Sequence, residues 1–228
     1  MKILTLDTAT ETGGVGLLEG EELKAQAQIR VSKTHTGQLW KIIYFLLEEV
    51  GWDLAEVELF GVTIGPGSFT GLRIGLATIK GLALAGGKPV IGVSTLEALA
   101  HNFPSCPYLI CPMIDARKKE VFSAFFQNDP EKGVVQIGQP RHVKPEFLLP
   151  ELQGTVLLAG NGARLYADFF KKELGDLVLF PTPHLHLISP LALGALAYQR
   201  FLQQGAPPLE ALHPIYIRPS DAELKCPV

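Results

Sequence analysis

A single glycine-rich junction sets the tightest limit on what this chain can fold into. The run Leu59-Phe60-Gly61-Val62-Thr63-Ile64 has the length and β-branched content of a buried strand. Gly65-Pro66-Gly67-Ser68-Phe69-Thr70-Gly71-Leu72-Arg73-Ile74-Gly75 carries it into about 20 residues of helical pattern. Gly65, Pro66 and Gly67 end the strand, and the Ser68 hydroxyl is placed to cap the helix. Such a turn presents N–H groups at a positive helix end and can hold an anion. Neither phosphate signature is complete, however. No Gly-Lys-Ser/Thr follows, and Gly65, Gly67 and Gly71 miss the dinucleotide spacing G-x-G-x-x-G by one residue. Tight packing of turn and helix is the simpler reading, with Gly67 and Ser68 kept as candidate nucleotide contacts.

The chain has 228 residues, enough for two lobes that each bury a core. Asn102-Phe103-Pro104-Ser105-Cys106-Pro107 reads as the boundary between an N-terminal lobe, 1–103, and a C-terminal lobe, 104–228. A hydrophobic content of 47% with 19% charged residues is globular, and a net charge of -3 gives no global attraction to nucleic acid. Cys106, Cys111 and Cys226 have neither C-x-x-C spacing nor an even count, which suits a reducing compartment. The N-terminus lacks the apolar stretch of a signal peptide, and Arg73 and Lys80 divide the nearest candidate for a membrane span. The expected location is the cytoplasm.

Taken in order, Lys2 to Asp7, Gly13 to Leu18 and a stretch ending near Val31 read as three consecutive antiparallel strands. Asp7, at the end of the first, either caps its own turn or serves a nucleotide phosphate through magnesium, a hard cation that prefers carboxylate oxygen. The helix from His35 to Val50 is apolar nearly all round, so it is buried on opposite sides or faces a partner as well as its own sheet. A metal pair at His35 is not expected, because position 39, one turn on, is leucine. In the helix from Ser68 to Ala85, small residues including Gly71, Gly75 and Thr78 form a stripe with Ile74. Interior glycines cost about 1 kcal/mol each relative to alanine, so the stripe implies a close neighbour. That neighbour is either another helix or this chain's own sheet.

The second half restarts with strands at Tyr108 to Ile114, Glu120 to Gln127 and Val134 to Ile137. Between the first two, Asp115-Ala116-Arg117-Lys118-Lys119 is a charged turn. Pro145 to Leu152 reads as a short helix, and Thr155 to Ala159 as a buried strand. Gly160-Asn161-Gly162 then makes a second strand–glycine–helix junction, opening a helix from Ala163 to Leu174 and able to touch an adenosine or phosphate. His184 and His186 share a face if extended, but no adjacent ligand completes a metal set. Leu191 to Leu202 is a helix, followed by a proline-rich, loosely organised tail.

Asp7-Thr8-Ala9-Thr10, His35, the Gly65 to Gly75 stretch, Asp115-Ala116-Arg117 with Glu120-Val121, and Pro214-Ile215-Tyr216-Ile217-Arg218 together resemble the bacterial TsaB family, also called YeaZ, over nearly the whole chain. The resemblance implies an α/β, two-lobed actin-like ATPase (ribonuclease H-like) fold with mixed sheets flanked by helices. It also implies a non-catalytic role beside TsaD, which transfers a threonylcarbamoyl group to the adenosine next to the anticodon of tRNAs reading codons that start with A. The implied assembly is a heterodimer with TsaD, a larger complex with TsaE, and a homodimer when the chain is alone. tRNA is met only through the complex, and the membrane plays no part. The family's helix-pair interface, carried onto this sequence, gives Leu39, Trp40, Ile43, Leu46, Leu47, Gly71, Ile74, Gly75 and Thr78. The catalytic relative's H-x-x-x-H pair is here His35 and Leu39, so no metal or other cofactor is expected of the chain itself, and ATP and magnesium are left to the complex. The rival reading is a nucleotide-binding ATPase that uses Asp7, Gly67, Ser68, Gly160, Asn161 and Gly162.

Overall fold

The structure, a computed structural model, describes residues 1–30 and 35–218. The strands are β1 (Lys2–Asp7), β2 (Thr12–Glu19), β3 (Glu22–Arg30), β4 (Leu59–Gly65), β5 (Val90–Ser94), β6 (Leu109–Arg117), β7 (Glu120–Asp129), β8 (Gly133–Val143), β9 (Val156–Ala159) and β10 (Val178–Leu179). The helices are α1 (His35–Glu49), α2 (Phe69–Gly86), α3 (Thr95–Ala100), α4 (Asn161–Leu165), α5 (Ala167–Leu174) and α6 (Pro190–Gln204). Two compact units divide the chain: Met1–Ala98 with Ile188–Pro214, and Leu99–Leu187 with the chain that follows Pro214.

In the first unit the sheet order is β3-β2-β1-β4-β5. β1, β2 and β3 run antiparallel as hairpins, while β1, β4 and β5 run parallel. Side chains alternate across a pleated strand, so each strand supplies two faces. Leu4 and Leu6 of β1 join Val15, Leu17, Phe60 and Val62 against Leu39, Ile43 and Leu47 of α1 and Leu76, Ile79 and Ala83 of α2. Thr5 points the other way, and its hydroxyl donates to the Pro190 carbonyl at the start of α6. Glycines let α6 lie close on that face. A Cβ on Gly16 would stand 2.7 Å from Pro190 Cβ, and one on Gly61 would stand 3.0 Å from Ala197 Cβ. In return, Gly194 of α6 admits Leu18.

The second unit repeats this plan in the order β10-β9-β6-β7-β8, again with two antiparallel hairpins and two parallel pairings. Met113, Val121, Phe125, Val156 and Leu158 form its core with Leu148, Ala163 and Phe170. The glycine junctions β4–α2 and β9–α4 therefore occupy equivalent places in two copies of one topology.

The division expected at 103/104 needs correction. The first unit ends at Ala98 and takes back 188–214, because without α6 one face of its sheet, Ile3 and Leu18 included, would be bare. The helix expected over 163–174 is two, parted at Tyr166, whose φ of -107° and ψ of 20° leave the helical range. Pro145 to Glu151 is a 3₁₀ turn, and the third strand of this half is longer than expected, Gly133–Val143. Residues 183–186 also form a 3₁₀ turn rather than a strand, with Pro183 opening it, so His184 is exposed while His186 is buried.

Candidate functional site

The end of β1 and the β4–α2 junction lock together through backbone and small side chains. Asp7 is 2% exposed, and its Oδ1 accepts from the Thr63 hydroxyl at 2.7 Å and from the Ala9 N–H at 3.0 Å. Burial pushes its carboxyl up to about 6, against the opposing pull of these hydrogen bonds. The Ala9 carbonyl accepts from Ser68 N–H at 2.7 Å, and the Thr8 hydroxyl donates to the Gly71 carbonyl at 2.7 Å. Ser68 caps α2 as its sequence position implies, with Oγ accepting from Gly71 N–H at 3.2 Å.

The glycine stripe faces this turn. A Cβ on Gly67 would stand 2.3 Å from the Ala9 carbonyl oxygen, one on Gly71 2.1 Å from the Thr8 carbonyl oxygen, and one on Gly75 2.2 Å from Thr8 Oγ1. The close neighbour implied by the sequence is thus the chain's own Thr8-Ala9 backbone. Assigning Gly71 and Gly75 to a partner contact is corrected accordingly, and Thr78 is buried on the same side.

Leu39, Ile43, Leu46 and Leu47 likewise belong to the unit's own core rather than to an outer surface, while Trp40 and Ile74 are half-buried and packed against it. Other residues face outward: Tyr44 is 57% exposed, Phe45 56% and Leu84 76%. Tyr44 stacks on Trp40 at 6.1 Å between ring centroids. Beside Leu84 on α2, Ala77 is exposed, and Gly81 has open space where a Cβ would stand. The sequence held a signal for this face: positions 39, 43, 46, 47 and 50 already form an inward stripe, which leaves Tyr44 and Phe45 surplus to it. His35 opens α1, but its side chain lies outside the described residues. Leu39, at the place of a second ligand, is core.

In the second unit, Gly160 has φ +104°, and a Cβ there would stand 2.2 Å from the Met113 carbonyl oxygen, while Gly162 packs against Met113 and Ile114. The Asn161 side chain accepts from Asp115 N–H at 3.0 Å. Gly160 N–H donates to Nδ1 of His186 at 3.1 Å, and Nε2 of the same ring lies 3.2 Å from the Pro181 carbonyl. Burial lowers the pKa of His186, which favours the neutral ring this arrangement requires. Gly160, Asn161 and Gly162 are accounted for by packing of the β9–α4 junction on β6. Asp7, Gly67 and Ser68 are held in the same way in the other unit, by packing of the β4–α2 junction on the turn after β1.

The motif pieces Asp115-Ala116-Arg117, Glu120 and Arg218 do come together. Arg218 donates to the Ala116 carbonyl at 2.7 Å and lies 3.6 Å from Glu120, which also meets His142 at 2.6 Å. Among the described residues no group of three or more His, Cys, Asp and Glu side chains is placed to hold a metal ion, and no helix is long and apolar enough to cross a membrane.

The family described as "TsaD: tRNA N6-adenosine threonylcarbamoyltransferase" matches residues 27–226. The chain is 32% identical to the tRNA threonylcarbamoyladenosine biosynthesis protein TsaB of Escherichia coli K12, covering 100% of this chain and 99% of that one. It is 30% identical to TsaB of Bacillus subtilis 168, covering 99% and 97%. Among solved structures it is similar to YeaZ from Pseudomonas aeruginosa, with a TM-score of 0.80, 27% identity, and coverage of 94% of this chain and 99% of that one. The two mixed sheets with flanking helices are those of the two-lobed actin-like fold.

Proposed function

The chain belongs to the TsaB family of tRNA threonylcarbamoyladenosine biosynthesis proteins, and from that membership we propose that it is the non-catalytic partner of TsaD. The observation that carries this reading is that Tyr44 and Phe45 of α1, among the exposed Gln38, Lys41, Glu48 and Glu49, and Leu84 of α2 stand exposed on helices whose other faces already pack on their own sheet. Exposed aromatic side chains on a rigid element are the type that anchors protein interfaces. On α2, Ala77 and Gly81 beside Leu84 give a facing helix room to approach.

The match of the TsaD family to residues 27–226 supports a partner built on the same plan, with its own outer helices completing a bundle. TsaE joins the assembled pair, a second copy of this chain covers the face when TsaD is absent, and tRNA is reached through the complex in the cytoplasm. The chain supplies no transferase chemistry in this reading. Leu39 stands where the catalytic relative has its second histidine, and the Asp7 carboxylate is taken up by Thr63 and Ala9. ATP and magnesium enter at the level of the complex. The test is reconstitution of threonylcarbamoyl transfer from purified components. Transfer is expected only when TsaD and this chain are both present, and transfer or metal-dependent ATP turnover by this chain alone overturns the reading.

A further inference from the structure

The outer side of α1 carries a symmetric pattern. Lys41 stands three residues before Tyr44, and Glu48 stands three residues after Phe45, so the order along the helix is cation, aromatic pair, anion. All four side chains are exposed. At about 100° per residue they fall within an arc of roughly 100° and make one face. Tyr44 is oriented by its stacking on the half-buried Trp40 at 6.1 Å between ring centroids.

The two charges do not serve each other. Lys41 and Glu48 are seven residues apart, about 10 Å along the axis, beyond the three- and four-residue spacings at which helix side chains pair. Those spacings lead inward from both of them to Tyr44 and Phe45. Among the described residues neither Lys41 nor Glu48 forms an ion pair.

Such a face is complementary to itself. A two-fold interface pairs residue i of one copy with residue j of the other, and j with i. Two copies of α1 laid antiparallel, with the axis between Tyr44 and Phe45, therefore bring each Lys41 against the Glu48 of the other copy and each Tyr44 against the other Phe45. Other arrangements lose these contacts. Parallel helices in register set lysine against lysine and glutamate against glutamate, and like charges repel. Sliding the antiparallel pair by one turn sets Phe45 against Glu48 and separates both ion pairs.

We propose that Lys41 and Glu48 set the register in which a second copy of this chain covers α1, antiparallel, with two Lys41–Glu48 pairs flanking the aromatic centre. This rests on the reading of the outer side of α1 as an interface, and adds to it the orientation of a second copy and the residues that select it. The aromatic side chains supply most of the affinity, and the charges choose between arrangements.

The experiment is sedimentation equilibrium of the full-length chain, without TsaD and at low ionic strength, where exposed charges are least screened. The parent is expected to dimerise. Lys41→Glu and Glu48→Lys each set like charges together at two places, and each is expected to weaken self-association roughly tenfold or more. Both positions are exposed, so the melting temperatures are expected to change little. An equimolar mixture of the two variants restores both attractions and is expected to form a one-to-one dimer with about the parent's affinity. The chain carrying both substitutions is expected to recover self-association as well. A monomeric parent, single reversals that dimerise as the parent does, or a mixture no tighter than either variant alone overturns the proposal. Loss of the dimer in Tyr44→Asp with Phe45→Asp, while the single reversals leave it intact, keeps the face and overturns the register. Titration with TsaD reads the heterodimer separately: a parent that self-associates as described but does not bind TsaD leaves this proposal standing and overturns that one.

Discussion

The Thr8 hydroxyl donates to the Gly71 carbonyl at 2.7 Å and fills the place beside Gly75 where a Cβ would stand 2.2 Å away. One threonine thus explains two of the glycines of α2, and the helix is fixed to the end of β1 rather than left open to a visitor.

Gly71→Ala and Gly75→Ala are therefore expected to destabilise the protein, Gly71→Ala the more because its obstacle is the Thr8 backbone carbonyl at 2.1 Å. Overpacking of this kind costs about 1–3 kcal/mol or more. Gly81→Ala, on the same helix but facing open space, is expected to stabilise by about 1 kcal/mol. Urea unfolding of the three variants measures the contrast.

Asp7 gives a pH signature. Its folded pKa is raised to about 6 by burial, above the ordinary carboxylate value near 4, so its contribution to stability is full below that ordinary value and is lost as pH rises through about 6. Asp7→Asn can keep the acceptor oxygen used by Thr63 and Ala9 while removing the charge. Relative to the parent, its stability is expected to improve between pH 4 and pH 7 by on the order of 3 kcal/mol. Parallel denaturation curves at the two pH values read the difference, in which the other carboxylates cancel.

The assignment of α6 to the first unit can be read by hydrogen exchange. Ala197→Glu places an unpaired charge where Ala197 meets the sheet at Gly61, at an expected cost of about 3 kcal/mol or more. Amides of β1, β2 and β4 are expected to lose protection, while those of β6 and β7 retain theirs. Loss confined to the second unit would support the linear division at 103/104 instead.

Much of this architecture was legible in residue order. Alternation marked β1 and β2, the Ser68 cap marked the start of α2, and the glycine junctions marked both strand-to-helix turns, because each of these is a local rule. The return of α6 was not legible. Gly14, Gly16 and Gly61 show only that something comes close, and nothing in their neighbourhood says that it is Pro190 and Ala197. The same limit misassigned Gly71 and Gly75, whose close neighbour lies in the turn after β1. α1 failed for a different reason. Its circumference is so apolar that carrying the family's helix pairing onto it took in Leu39, Ile43, Leu46 and Leu47, the ones the core consumes, and passed over Tyr44 and Phe45, the ones it leaves outside. Gly75→Leu and Ile43→Asp, at positions packed against Thr8 and inside the core, are expected to disturb folding.

Whether the outer face of α1 and α2 receives TsaD is read by titrating TsaD calorimetrically with the parent chain and with Tyr44→Asp combined with Phe45→Asp. Both side chains are more than half exposed, so the melting temperature is expected to change little. The parent is expected to bind at one to one and the double variant to bind roughly 100-fold more weakly or worse, as loss of two aromatic anchors implies. Equal affinity of the folded double variant and the parent for TsaD would contradict the claim.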